Sequence, residues 1–140
     1  MKLYFSGSIS GGREHAAIYQ HLVKRLQAQG HTVLSTHVAD PIALEHEKDR
    51  PPREVFERDV AWVKECAAMI AEVSTPSLGV GYEYGLAVQL GKPVLCVYRA
   101  GLRLSKMITG NPASNLTVVA YASEAELDEQ VESFLTKLTR

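Results

Sequence analysis

The spacing of apolar and polar positions changes several times along the 140-residue chain, and each change marks an element. Lys2 to Ser6 is a short apolar run and predicts a first strand. Glu14 to Gln29 takes helical spacing, with Ala17, Ile18, Leu22, Val23 and Leu26 on one side and Gly30 as its stop. His31 to Ser35 reads as a short second strand. Residues 36–50 lose all periodicity and are rich in Asp and Glu, which reads as a long surface loop. Pro51 and Pro52 open a helix that runs to Ala67. Met69 to Val73 reads as the third strand, Leu86 to Leu90 as a helix closed by Gly91, and Pro93 to Tyr98 as the fourth strand. Residues 99–115 read as loop with at most one helical turn. Leu116 to Tyr121 is the fifth strand, and Ser123 to Leu138 a last helix capped by Ser123 with Glu126 three residues on.

Strands alternating with helices, the strands themselves apolar, predict an α/β fold. The expected arrangement is one domain over residues 1–140. It is a doubly wound, five-stranded parallel sheet of order 2-1-3-4-5, Rossmann-like or flavodoxin-like, with helices on both faces. In such sheets ligands bind beyond the carboxyl ends of the strands where the order reverses, here between strands 1 and 3. Two glycine-rich stretches fall there: Gly7-Ser8-Ile9-Ser10-Gly11-Gly12 after strand 1, and Ser77 to Gly85 after strand 3. The first is neither a GxGxxG fingerprint nor a Walker A loop, and a plain tight turn is its alternative reading.

The second stretch carries a carboxylate. Small residues leave backbone N–H groups free to cradle an anion, and Glu83 is expected where a helix begins, its ionised form favoured by the helix dipole. Helix capping is the alternative for such a residue. Asp59 is a second candidate. On a helical projection it falls in the middle of an apolar face formed by Val55, Phe56, Val60, Trp62, Val63, Cys66 and Ala67. No basic residue lies three or four positions away, so an ion pair along the helix is not expected, and a partly buried acid with a raised pKa is. A bond from Asp59 to a neighbouring loop's backbone is the alternative. Tyr4 reads as core, or as a hydroxyl reaching the site from the strand end.

Two carboxylates in different environments fit cleavage of a glycosyl bond, one as nucleophile and one assisting the leaving group. An anion in the Ser77/Gly79 turn would then be a phosphate carried by the sugar. No His/Cys cluster has metal-ligand spacing and no GxSxG elbow is present, so metal and serine hydrolysis are not expected.

Composition narrows the setting. A hydrophobic content of 46% with 22% charged residues is ordinary for a soluble domain. The net charge of −1 and the lack of a basic run give no reason to expect long nucleic acids as partners. No apolar run is long enough for a membrane span, and Met1-Lys2 leads straight into a strand without a signal peptide. Cys66 and Cys96 read as buried free thiols. A cytoplasmic protein is expected, with the nucleus as a second compartment.

Together, several segments resemble the 2′-deoxynucleoside 5′-phosphate N-hydrolases, relatives of the nucleoside 2-deoxyribosyltransferases. They are Tyr4-Phe5-Ser6-Gly7-Ser8-Ile9, Gly11-Gly12-Arg13-Glu14, Thr36-His37-Val38-Ala39-Asp40, Asp59 with Trp62, Ala71-Glu72-Val73, Pro76 to Glu83, Gly91-Lys92-Pro93 and Leu104-Ser105. The resemblance implies that Glu83 attacks C1′ to form a covalent deoxyribosyl-enzyme. It implies that Asp59 assists departure of the base and that Tyr4 orients Glu83. It assigns phosphate contacts to Ser77 and Gly79 and to the first turn (Gly7, Ser8, Ile9, Ser10 and Gly11). It sets His37 near the base. It also implies a homodimer, in which Ser105 reaches the phosphate of the neighbouring subunit's site. No cofactor and no metal are expected.

The chain departs from the pattern in places. Vertebrate members have Arg where this chain has Ser10, a change expected to bear on phosphate affinity or base preference. Some relatives carry an N-terminal extension, which this chain is expected to do without. Transferase relatives carry a C-terminal Asn serving the neighbour's 5′-hydroxyl, whereas this chain ends Leu135-Thr136-Lys137-Leu138-Thr139-Arg140. Gly79 to Glu83 does not match the PGGxGTxxE signature of cytokinin-activating phosphoribohydrolases. The expected activity is therefore hydrolysis of 2′-deoxynucleoside 5′-monophosphates to base and 2-deoxyribose 5-phosphate. A base-exchanging deoxyribosyltransferase and a non-catalytic nucleotide sensor are the alternatives.

Overall fold

In a computed structural model, which describes residues 1–9 and 15–140, five parallel strands form one sheet of order β2-β1-β3-β4-β5. The strands are β1 (Lys2–Ser6), β2 (Thr32–Val33), β3 (Ala68–Glu72), β4 (Val94–Arg99) and β5 (Leu116–Tyr121). The helices are α1 (Ala16–Ala28), α2 (Ala43–Lys48), α3 (Pro52–Glu65), α4 (Leu78–Gln89), α5 (Lys106–Thr109) and α6 (Glu124–Leu138). A short 3-10 turn covers Thr36–Ala39. The expected strand order holds, and it reverses between β1 and β3 as anticipated. Ser10, Gly11 and the expected helix start at Glu14 lie outside the described residues.

Strand periodicity sorts side chains between two cores. Leu3 and Phe5 of β1 join Ile70, Leu95 and Val97 under α1 and α6. Tyr4, one position out of phase, joins Met69, Ala71 and Cys96 under Val63 of α3 and Val80, Tyr84 and Ala87 of α4. That alternation matters for the site, because Ser6 shares the α4 side with Tyr4.

Two expectations need correction. The helix placed at Leu86 to Leu90 begins much earlier, at Leu78, so the glycine-rich stretch is helix and not turn. Ser77 caps it, its hydroxyl accepting from the Val80 N–H at 3.3 Å. Val80, Tyr84 and Ala87 recur at helical spacing and bury against the sheet, which offsets the poor helix propensity of Gly79, Gly81 and Gly85. Residues 36–50 are not one long loop either. The 3-10 turn buries Val38 and Ala39, and α2 buries Ala43, so this segment packs over the sheet edge.

Candidate active site

A cavity of 620 Å³ opens at the carboxyl ends of β1 and β3. Its floor is Glu83 with the start of α4, and α3 supplies Val55, Phe56, Asp59 and Val60. The opposite wall comes from His37, Leu44 and Glu47. Of the positions singled out in the sequence, Gly7, Ile9, His37, Asp59, Ser77, Gly79 and Glu83 all line this cavity. Ser10 and Gly11 lie outside the described residues. Ser8 is buried and its N–H donates to the Tyr19 hydroxyl at 3.0 Å.

Glu83 sits one and a half turns into α4, not at its first residue, because the helix starts at Leu78. The dipole therefore does not set its ionisation as expected; burial does. Burial pushes the Glu83 carboxyl up from 4.5 to about 7. The hydrogen bond from the Tyr4 hydroxyl opposes that shift, the Asp59 charge adds to it, and Ser6 and Arg58 oppose it. Tyr4 donates to Oε2 of Glu83, and Ser6 Oγ donates to Oε1 at 3.0 Å. Tyr4 is itself almost fully buried. Burial and the Glu83 and Asp59 charges push its phenol well above the ordinary value, which keeps it a proton-bearing donor. Ser6 was not singled out in the sequence, yet the signal was there: two residues beyond Tyr4 on a strand, it faces the same way.

This geometry predicts an acid limb in the pH dependence. A carboxylate that must be ionised to react gives a kcat/KM that rises with pH to a midpoint near 7. Ser6→Ala removes a bond to the charged form and is expected to move that limb to higher pH. A pH–rate series on both proteins checks this, and an unmoved limb would assign it to another group.

Asp59 has a cationic partner that the sequence reading did not foresee. The guanidinium of Arg58, the preceding residue, turns back so that Nε donates to Asp59 Oδ1 at 2.9 Å. Pair rules for helix faces look three and four positions away and miss a long side chain wrapping from the adjacent one. Arg58 Nη2 also reaches Glu47 Oε1 at 3.0 Å and His37 Nε2 at 3.2 Å. His37 packs against Trp62 with ring centroids 5.7 Å apart. Burial, then the Arg58 charge, holds the His37 imidazole below its ordinary pKa, against the pull of Asp59 and Glu47. The apolar face of α3 is likewise not core along its length. Phe56 is 52% exposed and leans on Tyr82 at the cavity, 5.7 Å between ring centroids, so that face serves as a wall.

The remaining carboxylate of the region is already committed. Glu72 is fully buried and accepts from the Ser74 N–H at 2.6 Å, from Ser74 Oγ at 3.0 Å and from the Tyr121 hydroxyl. Glu83 by contrast borders open space. Gly7 earns its place sterically, since a Cβ there would meet Cζ of the buried Tyr19 ring at 2.7 Å. Gly7→Ala is expected to cost about 1–3 kcal/mol by overpacking, read as a lower denaturation midpoint.

Ser105 is not in this cavity. It caps α5, accepting from the Met107 N–H at 3.2 Å, and lines a separate groove on the other side of α4 with Tyr84, Leu104 and Met107. Among the described residues no group of three or more His, Cys, Asp or Glu side chains could hold a metal ion. No helix among them is long and apolar enough to cross a membrane.

Comparison with known proteins agrees with this fold. Residues 3–137 match the family model described as nucleoside 2-deoxyribosyltransferase. A 5-hydroxymethyl-dUMP N-hydrolase of Danio rerio is 41% identical, with 100% of this chain and 99% of that protein covered. The protein of the same description from Mus musculus is 45% identical over 95% of this chain and 76% of its own length. A solved structure of Clostridium botulinum CMP N-glycosidase superposes with a TM-score of 0.72 at 20% identity, covering 96% of this chain and 99% of that one.

Proposed function

The chain belongs to the nucleoside 2-deoxyribosyltransferase family, and from that premise we propose that it hydrolyses 2′-deoxynucleoside 5′-monophosphates at the N-glycosidic bond. The products are free base and 2-deoxyribose 5-phosphate. The observation that carries this reading is Glu83, a carboxylate gripped by Tyr4 and Ser6 at the floor of a cavity that also holds Asp59.

In the first step a Glu83 oxygen bonds to C1′ as the C1′–N bond breaks. The electron pair leaves with the base, and a proton passes to the base from the Asp59 carboxyl. In the second step water adds at C1′, the C1′–O bond to Glu83 breaks, and the water's proton returns to Asp59. Tyr4 and Ser6 hold the nucleophile in place throughout. The phosphate lies at the start of α4, where Ser77 and Gly79 border the cavity and the helix N-terminus favours an anion. Gly7 and Ile9 close the other side, with Ser8 between them and Ser10 and Gly11 next in sequence. His37 stands at the base end.

The relatives from Danio rerio and Mus musculus are described as acting on 5-hydroxymethyl-dUMP, which makes that nucleotide the first modified substrate to try here. We infer a homodimer in which Ser105 of the partner subunit completes the phosphate site. The groove bearing Ser105 is flanked by Leu78 at 96% and Met107 at 80% exposure, apolar area that a second copy would cover. Cys66 and Cys96 are free and buried, which supports a reducing, cytoplasmic setting.

Intact-mass analysis of protein quenched during turnover tests the covalent step. A deoxyribosyl-phosphate adduct on the peptide containing Glu83 is expected. A supplied second base that ends up in new nucleotide, with no sugar phosphate released, would make the protein a transferase instead.

A further inference from the structure

Arg58 joins both sides of the cavity through one side chain. It stands on α3, is 18% exposed, and its guanidinium carbon lies 5.0 Å from the Trp62 ring centroid. Its Nε holds Asp59 Oδ1, while Nη2 reaches Glu47 on α2 and His37 on the 3-10 turn. We propose that Arg58 is a positioning residue for the reaction, orienting the Asp59 carboxyl toward the departing base and fixing the tautomer of His37. This rests on the hydrolase reading above.

The argument for His37 is one of donors and acceptors. A guanidinium has five N–H donors and no acceptor. Its contact with His37 Nε2 at 3.2 Å is a hydrogen bond only if Nε2 presents a lone pair. The imidazole proton is then on Nδ1, a buried atom with no protein partner among the described residues. Glu47 pulls the other way, since its Oε1 lies 3.6 Å from the same Nε2 and would favour a proton there. Arg58 is closer to Nε2 and occupies that Glu47 oxygen itself. The neutral Nδ1–H form wins, and the base end of the cavity is lined by a neutral imidazole instead of a cation.

For Asp59 the consequence is regiochemical. Oδ1 is engaged by Arg58, and Oδ2 has no hydrogen-bond partner among the described residues. Oδ2 is therefore the oxygen left to exchange a proton with the base. Lysine cannot substitute, because one ammonium on a flexible stem does not meet three acceptors in a plane while stacking on an indole.

The test uses Arg58→Met and Arg58→Lys in the whole protein, with three readouts. The first is the 15N shifts and pH titration of His37 in unliganded protein. In wild type they should report Nδ1–H. In Arg58→Met the fixed tautomer should be lost and protonation should move to higher pH, because Asp59 and Glu47 favour the cation and the Arg58 charge no longer joins burial and Arg50 in opposing it. The second is base release, where kcat should fall about tenfold or more. The third is inhibition by 2-deoxyribose 5-phosphate, which has no base and should bind within about twofold of wild type. Arg58→Lys should recover little of the rate and leave the tautomer mixed. An unchanged His37 spectrum, a kcat within about twofold of wild type, or full rescue by lysine overturns the proposal. Should wild type itself release no base, the hydrolase reading falls, and the His37 spectra of unliganded protein still decide the role of Arg58.

Discussion

Glu83→Gln is expected to lower base release from a 2′-deoxynucleoside 5′-monophosphate by at least about a thousandfold. An amide has nearly the volume of the carboxylate and still accepts from Tyr4, but it cannot form the ester to C1′. Substrate binding should survive, because the phosphate end of the cavity does not depend on Glu83. The same variant carries a second signature, in stability. Burial raises the Glu83 carboxyl from 4.5 to about 7, so the folded protein holds a proton that the unfolded chain has released. That group is no burden below pH 4.5, where it is neutral in both states. It costs increasing stability as pH rises from 4.5 to about 7, and a constant amount above. Glu83→Gln removes that cost, so the melting temperature of the variant relative to wild type should climb through this window and then level off. Loss of turnover with a pH-dependent gain in stability is the pattern of a carboxylate kept for chemistry. A variant that turns over normally would remove Glu83 from the mechanism.

Asp59→Asn is expected to cost about a hundredfold, less than loss of the nucleophile. The amide oxygen can still take the Arg58 Nε–H, so the local geometry is preserved. What is lost is the proton for the departing base. The loss should therefore depend on the leaving group. A base that leaves readily as an anion needs little help and should narrow the gap between variant and wild type, whereas a poor leaving group should widen it. Rates measured over a series of nucleotides with graded leaving-group basicity give the answer. A loss independent of the base would make Asp59 a binding or structural group.

The sheet was legible because its strands are short apolar runs cleanly punctuated by glycine and proline, and β1 and β5 fall where the pattern sets them. The start of α4 was not, because Gly79, Gly81 and Gly85 argue locally for a turn, and only the packing of Val80, Tyr84 and Ala87 on the sheet overrides that preference. Ser77 as a cap was the one local hint. The helix α2 was hidden for a different reason: it is short and polar, with Ala43 its one buried residue among those described. Within the site, sequence supplied Glu83, Asp59 and Tyr4 as separate candidates, and the fold brings Tyr4 onto Glu83 across 79 positions of chain. It could not supply the Arg58 fork. That contact depends on where α2 and the 3-10 turn come to rest, which no periodicity encodes.

Release of free base, followed by chromatography, tests the central claim most directly. The common 2′-deoxynucleoside 5′-monophosphates, their nucleosides, the matching ribonucleotides and 5-hydroxymethyl-dUMP would be run side by side. The account predicts base and 2-deoxyribose 5-phosphate from the deoxynucleotides and nothing from the nucleosides. Release or exchange with nucleosides only, or no product from any of them, would contradict it.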